Sequence, residues 1–571
     1  MWLIPVLVLG LSAALAVPLA RYLAAVLDRP AANRLERLLD TGGQSWKGYC
    51  FSLLTFNVLV FVLGFLVLAF QHELPLNPDG KGPLAPSTVF NTAASFLTNT
   101  NLQHYSGEQH LSYLSQMTAV MWKQFVTPAI GLAALLAVLR GLRGDSHLGT
   151  CLLDIWRVTV YVLLPLAVVT GGLLVLGGVP MTFEGAAKVT TLEGAEQTIS
   201  RGPVAAVEAI KQLGTNGGGY FGANSCHPFE NPSAWTNLLE CVAILMLPMA
   251  CLLMAGRMLK AERHARMLFL VCLLLLAALT VTAVSLEAKP NPGLSGLPLD
   301  QSAGNLEGKE LRFGPSAGPT WTAATTCTSN GSVNCMHDSL NPLTGTVPLT
   351  GMWLNCIFGG VGVGFINLFV YLIVAVFLAG LMVGRTPEYL GKKVEAREMK
   401  LAMLALLIHP LMILAPTGLF CQMGWADAAK NNPGPHGFSE TLYEMTSASA
   451  NNGSGFEGLA DTVGVTEEND DDLKDTQKRD DRLTARHVAG AYDIVTGVIM
   501  VICRFVPIIA PIAIAASLAR KRPTPFTAGT LRTDTTTFAA VLLGTILLVG
   551  ALLFLPAAAL GPIAEHLSFG Q

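Results

Sequence analysis

The sequence is poor in charge and in aromatic side chains. Asp, Glu, Lys and Arg supply 13% of its 571 residues and Phe, Trp and Tyr 8%, against about a quarter charged in soluble domains. It has no basic excess: 36 Lys and Arg against 39 Asp and Glu leave a formal charge of −3, which excludes the electrostatic footprint of a nucleic-acid-binding chain. No GxxxxGK[ST] phosphate loop and no HExxH metal motif occur. No CxxC pair or His/Cys cluster has zinc spacing. No Ser/His/Asp set stands out either. No Lys or Arg precedes the first apolar run, so that run is not a cleaved secretory signal. Most of the 11 cysteines sit singly within apolar runs, where Cys acts as a small apolar residue. Cys327 and Cys335 differ. Both lie in a polar stretch over 287–348, where an extracytoplasmic disulfide could form.

What the chain does have is hydrophobicity, at 51% of residues and a mean hydropathy of +0.50. Ten stretches reach the ~20-residue length of a bilayer core. They fall at about 2–23, 51–70, 119–139, 156–177, 236–256, 267–286, 363–384, 401–420, 489–518 and 538–559. The third carries Lys123 and Gln124 near its start. Basic residues gather after the odd spans: Arg21, Arg29, Arg34, Arg37 and Lys47; Arg140 and Arg143; Arg257, Lys260, Arg263 and Arg266; Arg385, Lys392, Lys393, Arg397 and Lys400; Arg520, Lys521, Arg522 and Arg532. The positive-inside rule then puts these connections in the cytoplasm and both termini outside. The mixed-charge segment 467–482, with Lys474, Lys478, Arg479 and Arg482, falls on the outer side and reads as a solvated insert or a cation-gathering funnel.

The outer connections after spans 2, 4, 6 and 8 share a pattern: a short helix-like run, a string of small polar residues, then a span. The runs are PSTVFNTAASFLTNTNLQ, with Ser87 as N-cap, GPVAAVEAIKQLGTNGGGYFGAN, VPLTGMWLNCIFGGVGVGF and FSETLYEMTSASANNGSGFEG. Their landmarks Asn99, Thr215, Cys356 and Asn451 are unevenly spaced, by about 116, 141 and 95 residues, which suits a structural rather than a sequence repeat. A helix of about ten residues cannot cross a bilayer. It can enter halfway and return as extended backbone that lines a polar cavity. Four such C-terminal ends aimed at one point bring partial negative charge. With Thr and Asn side chains they would form oxygen rings that replace the hydration shell of a cation. None of the strings carries Asp or Glu before its Gly, which favours a monovalent cation. Taken singly, each is also readable as an ordinary Gly/Asn-rich turn.

Arg504 stands about 16 residues before Arg520, ~24 Å deeper along a helix. A guanidinium at that depth marks a functional site or snorkels to the surface. His409-Pro410 predicts a kinked span 8 with a packed histidine, and Pro507 and Pro511 a broken or bent span 9.

TNTNLQ (98–103), GTNGGGYFGANSCHPFENPS (214–233), CIFGGVGVG (356–364) and ANNGSGF (450–456) together resemble the family of potassium-translocating A subunits of bacterial Kdp-type ATPases, over essentially the whole chain. The resemblance implies an all-α membrane protein of ten transmembrane helices with four re-entrant pore loops in pseudo-fourfold arrangement, similar to potassium channels and transporters. It implies pore repeats over 51–139, 140–256, 257–384 and 385–519, flanked by 1–50 and 520–571. It assigns the potassium filter to Thr98, Asn99, Thr100, Asn101, Thr215, Asn216, Gly217, Gly218, Asn355, Cys356, Gly359, Gly360, Asn451, Asn452 and Gly453, with Gln103 at the pore entrance. Arg504 would gate or pace ions. Partners implied are a P-type ATPase catalytic subunit that alone binds ATP, a single-span accessory subunit and a very small membrane subunit, all in the bacterial inner membrane. K+ would be the only bound ion, with no organic cofactor. The acidic insert at 461–486 departs from the family pattern. The chain lacks the DKTG phosphorylation sequence and has only short cytoplasmic loops, so hydrolysis would fall to the partner. A stand-alone potassium channel or ion-coupled symporter remains the alternative. A membrane enzyme acting on a lipid-linked substrate would need clustered acids or histidines near the membrane surface.

Overall fold

The computed structural model describes residues 1–463, 476–522 and 532–569, apart from 383 and 385, with side chains omitted for 476–485. The insert at 467–482, Arg385, and the role suggested for the insert lie outside the described residues or side chains. Among the described residues, ten helices are long and apolar enough to cross a membrane: α1 Leu3–Leu27, α2 Trp46–Ala69, α4 Tyr113–Arg143, α5 Cys151–Leu176, α7 Ala234–Met258, α8 Glu262–Glu287, α11 Val363–Met382, α12 Ala396–Gln422, α14 Thr476–Ala519 and α15 Thr536–Ala558. Each predicted span has its helix. Between them lie four shorter helices, α3 Pro86–Ser95, α6 Val204–Leu213, α9 Gly314–Cys327 and α13 Gly434–Ala450, and the nine-residue α10 Thr346–Leu354. The fold is of the all-α class, with two small antiparallel ladders among the described residues, Ala187–Thr190 with Glu196–Ile199 and Glu388–Tyr389 with Lys392–Lys393.

Burial sorts the long helices into two shells. α4 is almost wholly enclosed, and α7 and α11 mostly so, whereas α1, α2, α5, α12 and α15 are about one-third buried. The outer shell exposes Leu3, Phe51, Val168 and Leu552, apolar side chains suited to hydrocarbon. α4 can pass through the centre with Lys123 and Gln124 because it faces protein on all sides. Its first turns are π-helical over Gln116–Met121, a local unwinding common at functional sites.

The connections after the odd spans interlock at one end of the molecule. Arg143 pairs with Asp28, Arg140 with Asp154 at 2.6 Å, and Lys392 Nζ donates to Leu142 O at 2.8 Å. His264 meets Thr533 O and the Tyr389 hydroxyl, and Lys521 pairs with Glu398 at 2.7 Å. All five connections therefore share one face, as the charge pattern required.

Several local expectations change. Ser87 is not the cap of α3; Pro86 opens that helix at its first position, where the missing N–H costs nothing. α14 runs on without a break through Pro507 and Pro511, and α12 through Pro410 and Pro416. Cys327 and Cys335 are both buried free thiols. They are not bonded, because Cys327 ends α9 while Cys335 packs against Thr322 and Gly318 on another turn of it.

Candidate functional site: four helix ends around one axis

The four short helices end in the same backbone device. In each, an N–H reaches back five residues to a carbonyl of the last turn: Thr100 to Ser95 at 3.1 Å, Asn216 to Lys211 at 2.9 Å, Asn330 to Thr325 at 2.9 Å and Asn452 to Ser447 at 2.9 Å. This is the Schellman closure, which needs a left-handed residue just before the donor. Those residues are Asn99 (φ 60), Thr215 (φ 48), Ser329 (φ 50) and Asn451 (φ 51). Asn tolerates that region, but a β-branched Thr there is a genuine outlier. Strain of this sort persists where surrounding bonds hold it, typically at functional sites. Thr215 is held by its own hydroxyl, which accepts Val361 N–H at 3.0 Å.

Two residues on, the chain again takes positive φ, at Asn101 (57), Gly217 (94), Gly331 (90) and Gly453 (107). The glycines are required by contact as well as by φ. A Cβ on Gly217 would stand 2.0 Å from Asn330 O, one on Gly331 2.2 Å from Asn452 O, and one on Gly453 2.0 Å from Thr100 O. Each loop thus presses on the next in cyclic order. Asn101 fills the fourth place, its amide donating to Asn216 Oδ1 at 3.3 Å. Side chains close the ring as well. Asn99 donates to Thr215 O at 2.7 Å, Asn330 to Lys211 O at 3.3 Å, Asn452 to Thr325 O at 3.0 Å, and Asn451 to Thr100 Oγ1 at 3.0 Å. α4 braces it from outside: Gln124 donates to Gly218 O at 2.6 Å and Thr127 to Asn99 Oδ1 at 2.8 Å. Thr98 is fully buried and its hydroxyl meets that of Thr100 at 2.7 Å.

The third loop corrects the sequence reading. Residues 328–331 occupy the ring, not 355–360. Asn355 (φ 44) ends α10 beneath it, where it accepts from Ser329 Oγ at 2.8 Å and donates to Ala450 O at 3.2 Å. Gly359 N–H donates to Cys327 O at 3.0 Å, and Gly360 lies under Thr215 and Thr328. Cys356 is buried, its carbonyl accepting the Cys272 thiol at 3.7 Å. The segment 355–361 is therefore a floor under the ring. Hydrophobicity misled here: α9, GPSAGPTWTAATTC, has too few large apolar residues to look like a buried helix. It is buried because its threonines bond back to the preceding turn, Thr320 to Ser316 O, Thr322 to Gly318 O and Thr326 to Thr322 O. A usable signal did exist. Asn-Gly recurs at 216–217, 330–331 and 452–453, and with Ser329 as third landmark the loops follow one another at near-even intervals of about 116, 114 and 122 residues.

On one side of the ring, Gln103 ties the first loop to the second, donating to Gly219 O at 3.3 Å and accepting from Gly219 N at 3.0 Å and Asn224 Nδ2 at 2.8 Å. Next to it, buried His104 meets Asp493 at 2.7 Å, Glu444 at 3.2 Å and Asp461 at 3.6 Å. Burial alone would lower its pKa, but these carboxylates hold it well above the usual value. With Glu444 and Asp461 it is one of two groups among the described residues that could hold a metal; the other is Asp338, His436 and Glu440.

On the other side a cavity opens, lined by Asn99, Ser329 and Asn451 above and by Asn355, His409 and Arg504 around it. His409 meets Ser449 Oγ at 2.8 Å and Met352 O at 3.1 Å. Arg504 is 6% exposed, and its Nη2 donates to Thr127 O at 3.4 Å. It has no carboxylate partner among the described residues. Its charge therefore faces the underside of the ring rather than snorkelling to a surface.

The family model of the potassium-transporting ATPase A subunit matches residues 6–567. The chain belongs to that family. Members similar to it include potassium-transporting ATPase potassium-binding subunits from Geobacillus kaustophilus, 45% identical with 97% of each chain covered, and from Rhodospirillum centenum, 46% identical over 98% of this chain and 96% of the relative. Among solved structures, the potassium transporter TrkH from Vibrio parahaemolyticus shares the fold at a TM-score of 0.53 and 13% identity, covering 89% of this chain and 97% of that one. Family membership and the ten apolar helices make the chain a multi-pass membrane protein.

Proposed function

We propose that this chain binds and selects K+ at the ring and delivers it to a partner P-type ATPase subunit for ATP-driven import. The observation that carries the reading is the closed cycle of four helix ends, each turned inward by a left-handed residue, three of them pressed on a neighbour's carbonyl and the fourth joined through Asn101 to Asn216. Backbone carbonyls and the side chains of Thr98, Asn99, Thr100, Asn101, Thr215, Asn216, Gly217, Gly218, Thr328, Ser329, Asn330, Gly331, Asn451, Asn452 and Gly453 would supply neutral oxygens at the negative ends of four helix dipoles. Asn355, Cys356, Gly359 and Gly360 then support the ring from below rather than coordinate the ion. Gln103 orders the entrance. The ion would leave through the cavity past Arg504, whose fixed positive charge discourages a second cation from following at once.

In this reading the short helices are re-entrant from the outer face, both termini are extracytoplasmic and the membrane is the bacterial inner one. The chain itself does not hydrolyse ATP; a catalytic subunit binds it, alongside a single-span accessory subunit and a very small membrane subunit. The pore repeats run over 51–139, 140–256, 257–384 and 385–519. The relatives' shared name, a potassium-binding subunit of an ATPase, supports this over a self-sufficient channel or symporter. The test is a pull-down from native membranes through a tag on this chain, assayed for ATPase activity with and without K+. Activity that rises with K+ but not Na+, with an ATPase-sized protein in the eluate, is the expected result. A chain that elutes alone and passes K+ in liposomes would overturn it.

A further inference from the structure

Directly behind the second loop lies a closed group of charges. Glu208, Lys211, Glu230 and Glu240 are all 0% exposed. Lys211 Nζ meets Glu208 Oε2 at 2.6 Å and Glu230 Oε2 at 2.6 Å, and donates to Asn224 Oδ1 at 2.9 Å and Ser225 Oγ at 2.7 Å. Glu230 Oε1 accepts Phe221 N–H at 2.8 Å. Glu208 Oε1 takes Gln212 Nε2 at 2.6 Å and Ser225 Oγ at 3.0 Å. Glu240 receives only the far side of the same Gln212 amide, at 3.3 Å, while its carboxyl neighbours that of Glu208. Among the described residues, Lys211 is the only cation these acids share.

Three carboxylates around one ammonium leave two uncompensated charges in a fully buried site, which is costly. Protons relieve this, and a carboxyl pair with no cation between its members shares one. Glu230 has both oxygens engaged, one by the Lys211 ammonium and one by the Phe221 N–H. Glu240 Oε1 is the acid oxygen of the group with no partner, whereas Glu208 Oε2 faces the Lys211 ammonium at 2.6 Å; a hydrogen on Glu240, donated to Glu208, gives that oxygen a bond.

We propose that Glu240 is held as a neutral carboxylic acid donating to Glu208, and that this shared proton is a positioning element for ion selection. The coupling is short. Asn224 takes Lys211 on Oδ1 and donates through Nδ2 to Gly217 O at 2.7 Å. Gln212 accepts Ser332 Oγ at 2.9 Å, and the Lys211 carbonyl receives Asn330, so the third loop leans on the same group. Loss of the proton sets Glu240 and Glu208 in repulsion and tilts Gln212, Lys211 and the carbonyl of Gly217. Glu240 touches no ion and acts through these neighbours.

The inference rests on the ring being the selecting site, so its test has two independent readouts on the full complex from native membranes. Infrared spectra at neutral pH should show the carbonyl stretch of a protonated carboxylic acid, lost in Glu240→Gln. K+ dependence of ATPase activity should stay within twofold of wild type in Glu240→Gln, which keeps size and neutrality, with Rb+ and Na+ discrimination intact. Glu240→Ala should lose discrimination about tenfold. Absence of the acid band, or its survival in Glu240→Gln, overturns the shared proton whatever the ring does. A Glu240→Gln variant as impaired as Glu240→Ala overturns it as well. If Glu240→Ala does not assemble, Glu208→Gln replaces it, with the same tenfold loss expected. A band lost on schedule with discrimination unchanged in Glu240→Ala or Glu208→Gln leaves the proton and refutes its coupling to the ring.

Discussion

Replacing Gly217 with alanine puts a methyl group where the Asn330 carbonyl now stands. The new Cβ would lie 2.0 Å from that oxygen and 2.7 Å from Gly331 C. The two loops must part by about 1 Å to reach even a tight contact, in a region packed as densely as a crystal. The φ of +94 adds a backbone penalty of about 1–2 kcal/mol for an L-residue. A coordination shell opened by that much loses its match to one ion radius. If the preferred ion forfeits about 1.4–2.8 kcal/mol relative to a competitor, discrimination falls about ten- to a hundredfold. The assay is ATPase activity of the tagged complex against K+, Rb+ and Na+ concentration. Gly178→Ala is the control: its φ is +98 with nothing within 4 Å of the added Cβ, so it carries the backbone penalty without the clash. The expected outcome is a raised half-maximal K+ concentration and lost discrimination in Gly217→Ala, with Gly178→Ala near wild type. Unchanged discrimination in Gly217→Ala, in a variant that assembles normally, would refute the ring as the selecting site. Gly217→Asp should abolish discrimination altogether.

Gly331→Ala should resemble Gly217→Ala, because its Cβ meets Asn452 O at 2.2 Å, whereas Gly360→Ala finds nothing closer than 3.4 Å and should be tolerated; the reverse ranking in the same ion-competition assay would restore 355–360 to the ring. Arg504→Gln should leave ion preference intact and change the ions moved per ATP, measured as 86Rb+ uptake against phosphate release in proteoliposomes; an unchanged ratio removes its role in the path. His436 bridges Asp338 and Glu565, each at 2.9 Å. Burial lowers its pKa, but the two carboxylates outweigh this and push it up to about 10. Its stabilisation is therefore complete below the ordinary histidine value of about 6.5 and is lost as pH rises through about 10. A thermal-unfolding midpoint that falls across that alkaline window in wild type, but not in His436→Gln, is the expected result.

The ten spans, the shared face of the basic connections and three of the four ring segments were legible in the sequence because each rests on a local rule. Twenty apolar residues suit a bilayer. Basic residues cluster on one side of it. Left-handed turns call for Asn or Gly. The third segment was missed because α9 solves a tertiary problem: a helix packed wholly against protein needs small residues and threonines that satisfy themselves, not an apolar stripe. Reading for apolarity instead picked out α10, whose Leu349, Met352 and Trp353 fill a core beneath the ring. The break expected at Pro507 and Pro511 does not occur, since α14 continues through both prolines.

Local composition was enough to specify which stretches cross the membrane, which connections share a face and which small residues can turn inward. It took packing to bring Gly217, Gly331 and Gly453 each against a neighbour's carbonyl, Asn99 across to Thr215, and Glu240 beside Glu208. Those contacts join residues a hundred or more positions apart, or acids on two separate helices. Chain-local chemistry specifies an element, but the energy of a shared ring or a buried charge depends on which elements meet.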